Sequence, residues 1–223
     1  MSDIHTYRLG IEGEELPAGT SVMVIGPPMS GKDGILNGIV AEGLASGEAV
    51  ILITTAETGE SAAGRFQNAD RLGVIDCMSR PLGLDVADTP RIKRVSGPMD
   101  LTGMGVRASQ FLEEFRGTNV RLCISSLSTL LMYSSLQAVF RFMHVIITRA
   151  SLTGALCACV VEEGMHDPQT VSTLKQLFGA VIEVKVEGDA LCLRLITGQS
   201  RKKWREFDII HGIAVIRESV NDQ

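Results

Sequence analysis

Positive charge is in short supply in this chain: 21 lysines and arginines stand against 26 aspartates and glutamates, a formal net charge of −5. That balance gives no general field to draw the protein onto DNA, RNA or an anionic membrane, so neither nucleic acid nor membrane is expected among its partners. The five cysteines, Cys77, Cys123, Cys157, Cys159 and Cys192, include no C-x-x-C pair. They lie in or beside apolar runs, which reads as buried, reduced thiols and argues against a cysteine metal cluster. Also missing is any uninterrupted apolar stretch near the roughly 20 residues of a membrane-spanning helix. The opening Met-Ser-Asp-Ile-His-Thr has no basic segment leading into an apolar one, and the expectation is a cytoplasmic protein. No internal repeat or low-complexity linker divides the 223 residues, which are read as a single domain, 1–223.

What the chain does have is apolar residues, at 45%, and 23 glycines. Strand-length apolar runs at 21–26, 49–55, 74–78, 120–125 and 155–161 alternate with longer amphipathic stretches at 32–45, 60–72, 136–150 and 168–178. This is the pattern of a mostly parallel sheet covered by helices. Gly73 is read as the stop of the helix over 60–72, and Pro168 as the first turn of the last one. The Pro-, Gly- and Asp-rich segment 79–98 reads as a loop around a short strand at 91–95, after which Asp100 caps a helix running to Phe115. Beyond Gly179 the period changes. Short alternating segments at 181–186, 191–197, 206–210 and 213–216 are separated by Gly-Asp, Gly-Gln-Ser and His-Gly, which suggests a β-meander extending the sheet. The expected class is α/β: a mostly parallel central sheet flanked by helices, with a C-terminal antiparallel β-meander.

The clearest chemical signal is Gly26-Pro27-Pro28-Met29-Ser30-Gly31-Lys32, a G-x-x-x-x-G-K loop between an expected strand and an expected helix. In such a loop Gly26 and Gly31 let backbone N–H groups curl round phosphate oxygens, Ser30 adds a donor, and Lys32 places a point charge on the terminal phosphates of a nucleotide. The next residue is Asp33, where a Ser or Thr hydroxyl would normally ligate Mg²⁺. A bare carboxylate about 5 Å from a phosphate costs on the order of 3 kcal/mol at an effective dielectric of about 20, or about a hundredfold in affinity. Asp33 therefore either ligates Mg²⁺ itself, which reverses the sign, or simply favours the positive end of its helix by roughly 0.3–1 kcal/mol.

Other candidates lie at the ends of the expected strands. Ser125 stands where an acid would hold the metal's water shell, and reads either as a core or turn residue or as a metal contact. Glu57, at the carboxyl edge of the second strand, is the candidate for orienting an attacking water. Glu162, Glu163, His166 and Asp167 follow the run 155–161 and either reach the same crevice or are solvated loop residues. Arg201-Lys-Lys-Trp-Arg205 is a solvated hairpin tip, a cation source for a neighbour's nucleotide, or, through Trp204, a single-strand nucleic-acid contact.

The segment from Leu16 to Lys32, with 51–57 and Ile124-Ser-Ser-Leu-Ser128, resembles the RecA superfamily, in particular its KaiC-like archaeal branch. The resemblance extends through 174–184, Gly198, Phe207-Asp-Ile and Gly212-Ile to almost the whole chain. More closely, Gly-Pro-Pro-Met-Ser-Gly-Lys, 127–133 and 139–144 look like a group of uncharacterised archaeal RecA-superfamily ATPase homologues. It implies a RecA-like P-loop core that binds ATP, with Lys32 on the phosphates and Mg²⁺ as accompanying metal, often as a hexameric ring with nucleotide between subunits. KaiC-like enzymes have Thr at Asp33, Asp at Ser125 and paired glutamates at Ala56-Glu57. Their K-x-R-G segment, whose cations act on the neighbouring subunit's nucleotide, reads Leu195-Ile-Thr-Gly198 here. Together these departures imply an ATP-binding protein with weak or no hydrolysis, acting as a regulatory or signalling component through a protein partner. The alternatives are a Mg²⁺-dependent ATPase using Asp33 and Glu57, and an oligomeric scaffold that needs no nucleotide.

Overall fold

Strands that are apolar at every position need cover on both faces, and such strands build the middle of this molecule. The computed structural model describes residues 5–66 and 69–217. In chain order the elements are β1 (Thr6–Arg8), β2 (Glu15–Pro17), β3 (Ser21–Gly26), α1 (Lys32–Ala45), β4 (Ala49–Thr54), α2 (Gly59–Gly64), β5 (Leu72–Asp76), β6 (Ile92–Arg94) and α3 (Leu101–Glu114). They continue with β7 (Val120–Ile124), α4 (Leu127–Tyr133), α5 (Leu136–Leu152), β8 (Leu156–Glu162), α6 (Pro168–Lys175), β9 (Ala180–Glu187), β10 (Ala190–Thr197), β11 (Ser200–Arg201), β12 (Arg205–Ile210) and β13 (Ile213–Ile216).

One 11-stranded sheet has the order β13-β12-β10-β9-β3-β8-β7-β4-β5-β6, with β11 paired to β10. From β9 to β6 the neighbours run parallel, and from β9 outward to β13 they run antiparallel. The expected α/β architecture, with its terminal meander, is therefore the observed one. Alternation along each strand sends side chains to two cores. Val22, Val24, Val50 and Leu52 face α1 and the meander, while Met23, Ile25, Ile51 and Ile53 share the other core with Met104 and Phe111 of α3 and Val139 and Met143 of α5. The five cysteines are buried and unpaired. No helix among the described residues is long and apolar enough to cross a membrane.

The meander does more than extend the sheet, because it folds back onto α1. A Cβ added at Gly34 would lie 2.5 Å from Ile209 Cδ1, so only glycine lets β12 approach the helix this closely. Further along, α1 meets the buried Arg121, which donates to the carbonyls of Arg8 at 2.6 Å and Ile39 at 2.9 Å and pairs with Glu48. The hairpin closing the meander turns at His211 and Gly212, both with positive φ (50° and 78°), as a two-residue type I′ turn requires.

Several expected boundaries move. The helix expected over 60–72 stops at Gly64, and Leu72 and Gly73 belong to β5, two residues ahead of the strand expected at 74–78. Gly73 is not a helix stop. It lies under the Phe111 ring, with 2.7 Å to Cδ1 from the position a Cβ would take, and strand geometry there follows from packing rather than from any local signal. Asp100 caps α3 as expected, accepting from Gly103 N. Sequence patterning missed the short pieces: the β1–β2 pair, β11, and α4, which Ser126 caps directly after β7.

Candidate functional site

Strands β3, β8, β7 and β4 are neighbours and parallel, so their carboxyl ends share one edge of the sheet, where ligands gather in open α/β folds. The G-x-x-x-x-G-K loop leaves β3 at this edge. Gly26 has no room for a side chain, since a Cβ would sit 2.8 Å from Val184 Cβ. Met29 adopts a left-handed φ of 56° and exposes 94% of its surface, marking the loop's outward crest between Pro28 and Ser30. Gly31 (φ 75°) is the residue before α1, and a Cβ there would press on Ile209, Leu191 and Phe207, each at 3.1 Å. The meander thus forms the seat of the loop. Ser30 is fully buried, and its Oγ has no hydrogen-bond partner among the described residues.

Lys32 is 3% exposed. Its Nζ donates to the Pro27 carbonyl at 3.0 Å and meets both carboxylate oxygens of Glu162 at 2.9 Å. The pairing follows from register, because Glu162 stands opposite Gly26 in the β3–β8 ladder. The buried Ser128 Oγ accepts from the backbone N–H of Glu162 at 2.9 Å and fixes the strand end that carries it. Glu162 is therefore part of the loop's surroundings and not a solvated loop residue. Glu163 and Asp167 are exposed, and Asp167 caps α6 by accepting from Thr170 N at 2.9 Å. His166 is half-buried, and none of these three lines the cavity described next.

A cavity of about 300 Å³ lies beside the loop, lined by Asp33, Glu57, Arg65, Ser125 and Glu162 among others. Its size is at the lower end of the range for ligand sites. Asp33 opens to solvent on the first turn of α1. Protein packed on one side of its carboxylate strips water and raises its pKa; Lys32 opposes the rise, Glu162 adds to it and Arg65 opposes it. Glu57 accepts from Ser61 Oγ at 2.6 Å and pairs with Arg65 at 2.5 Å. Ser125 Oγ accepts from Thr55 N at 3.0 Å and shares a hydrogen bond with Thr55 Oγ1 at 3.2 Å, tying the end of β7 to the end of β4. Among the described residues no three His, Cys, Asp or Glu side chains are grouped to hold a metal by themselves. The donors present suit Mg²⁺ only in the manner of nucleotide sites, with one or two carboxylates completed by phosphate oxygens.

Sequence pattern gives no signal for Arg65, which falls inside the helix expected over 60–72 and lies just past the end of α2 in the structure. The basic cluster is divided between tasks. Trp204 stacks beneath Lys185 and Arg194, at 4.7 and 4.4 Å from the ring centre, and Arg205 binds Glu14 at 2.9 Å and the Glu12 carbonyl at 2.7 Å. Arg201, Lys202 and Lys203 are exposed.

The fold is shared with a solved KaiC-like protein. The crystal structure of KaiC-like protein PH0186 from the hyperthermophilic archaeon Pyrococcus horikoshii OT3 superposes with a TM-score of 0.72, covering 96% of this chain and 100% of that one at 13% identity. At that identity the likeness establishes the fold. Residues 19–184 match the model of a family of unknown function (DUF7504), and the chain belongs to that family. No curated protein matches.

Proposed function

We propose that this protein binds a nucleoside triphosphate, ATP in the first instance, on the loop from Gly26 to Lys32. In this reading it hydrolyses the nucleotide weakly or not at all and serves as a regulatory or signalling component. The observation that carries it is Lys32, a nearly buried ammonium at the root of a glycine-bounded loop, held by a carboxylate that lines the adjoining cavity. Charge then dictates how the nucleotide enters. Lys32 is paired with Glu162 and Arg65 with Glu57, and among the described residues Asp33 has no ion pair of its own at the edge that would receive the phosphates. Asp33 would hold a divalent cation arriving with the phosphates, whose charge would offset that repulsion, so binding should depend on Mg²⁺. The buried Ser30 hydroxyl, the left-handed Gly31 and the Lys32 ammonium fit a phosphate chain. Melting measured with and without millimolar Mg²⁺-ATP tests the reading: a rise in Tm that disappears in Lys32→Ala supports it, and no rise in the wild type removes it.

A second reading, an active Mg²⁺-dependent ATPase, is favoured by the presence of Asp33 and Glu57 on one cavity. It requires phosphate release that is lost in both Asp33→Ala and Glu57→Ala. Assembly into a ring and action through a protein partner belong to the proposal as well. Sedimentation with and without Mg²⁺-ATP checks assembly, and defined oligomers indifferent to nucleotide would favour a scaffold instead.

A further inference from the structure

Among its described lining residues the cavity has one cation, Arg65, whose surroundings differ from those of the two fully buried paired arginines. Arg94 and Arg121 are fully buried and donate to backbone carbonyls, Arg94 to that of Ala87 and Arg121 to those of Arg8 and Ile39, as structural clamps do. Arg65 follows the last turn of the short helix α2, its side chain is 41% exposed, and its ion partner is Glu57. Its guanidinium also lies over the Phe66 ring, 5.7 Å from the centroid, and among the described residues its ion pair is with Glu57. It lines the same cavity as Asp33 and Glu162, and Glu162 in turn holds Lys32.

We infer that Arg65 forms a second anion subsite of this cleft, taking the terminal phosphate of a nucleoside triphosphate within the same chain and releasing Glu57 as it does so. The inference rests on the nucleotide-binding reading above and names the group that would tell triphosphate from diphosphate. Three lines support it. A guanidinium can hold phosphate through two parallel N–H···O bonds, so a terminal phosphate competes directly with the carboxylate of Glu57 for the same fork. The cavity needs the charge, since Asp33, Glu57 and Glu162 line it and Arg65 is the one cation among its described lining residues, Lys32 being held behind Glu162. Arg65 and Asp33 line one cavity, so the two groups act on one volume of the cleft. Glu57 is the switch partner: once Arg65 turns to phosphate, the carboxylate keeps, among the described residues, its hydrogen bond from Ser61.

The test compares Mg²⁺-ATP with Mg²⁺-ADP by titration calorimetry on wild type, Arg65→Ala, Arg65→Lys, Glu57→Gln and Lys32→Ala. A lost charge-assisted contact of this kind is worth about tenfold to a hundredfold in affinity, so Arg65→Ala should weaken ATP by that factor and leave ADP within about threefold. Arg65→Lys, which keeps the charge and guards against a folding artefact, should recover part of the loss. Glu57→Gln, which removes the competitor's charge, should tighten ATP more than ADP. Lys32→Ala should weaken both nucleotides. Equal weakening of ATP and ADP by Arg65→Ala, or no weakening of either, overturns the inference and leaves nucleotide binding standing. A wild type that binds neither nucleotide overturns both.

Discussion

Two carboxyls of this protein, Asp33 and Asp76, meet opposite surroundings, one resisting charge and one favouring it. Asp33 resists, because the protein that strips water from it outweighs the pull of Lys32 and Arg65. A carboxyl whose pKa is raised on folding holds its proton where the unfolded chain releases it. Its contribution to stability therefore falls as pH rises from the ordinary carboxylate range through the raised value, and the penalty is fully present at neutral pH. Asp33→Asn should melt higher than wild type at pH 7 and no higher at pH 3, as paired thermal scans would reveal. The same substitution should tighten metal-free ATP by about a hundredfold and flatten the Mg²⁺ dependence, read from titrations with and without chelator. Asp76 is the opposite case. Burial raises its pKa, but hydrogen bonds from Ser79, Gly59 and Met78 outweigh burial and hold the carboxyl low, with the buried Arg94 3.6 Å away. Its contribution is present above the ordinary carboxylate range and is lost as pH falls through the lowered value. Asp76→Asn leaves Arg94 without that counter-charge and should cost roughly 3 kcal/mol at pH 7 by urea denaturation, with a shallower loss of stability in acid than wild type.

At the scale of elements, contacts between helices and sheet depend on a few positions without side chains. Phe111 of α3 lies on Gly73 of β5, and Ile209 of β12 lies on Gly34 of α1. Gly73→Val should overpack the first contact and destabilise by about 1–3 kcal/mol. Combining it with Phe111→Leu should restore part of that, a coupling that a double-mutant cycle in urea would measure. Helix α2 shows where local patterning ends. Thr58 caps it and Gly64 is its last residue, yet the apolar spacing from Ala62 to Leu72 reads as a longer helix. Leu72 goes to the sheet because β4 offers it a parallel partner at Val50. Nothing within residues 60–72 announces that partner, and Arg65 went unnoticed for the same reason.

Across the whole molecule, the meander and the loop behave as one structure. Leu191, Phe207 and Ile209 occupy the space a side chain at Gly31 would need, so the Gly26–Lys32 loop is seated on strands far along the chain. Phe207 is fully buried. Phe207→Ala should destabilise by about 3–5 kcal/mol and weaken Mg²⁺-ATP beyond what the lowered stability explains, measured by calorimetry at a temperature where the variant remains folded. Saturating nucleotide should in turn stabilise wild type by about 2.7 kcal/mol at a hundred times Kd. The α/β class, the sheet's parallel centre, the meander, the cap at Asp100 and the loop from Gly26 to Lys32 were legible in the sequence, because each rests on local periodicity, turn chemistry or residues adjacent in the chain. Tertiary structure alone decided that Glu162 meets Lys32, that Ser125 is taken up by Thr55, that Arg65 shares a cavity with Asp33, and that β12 seats Gly31. Each of those pairings depends on strand register and on which strands become neighbours, and these are settled by packing of the whole sheet rather than by any stretch of residues within it.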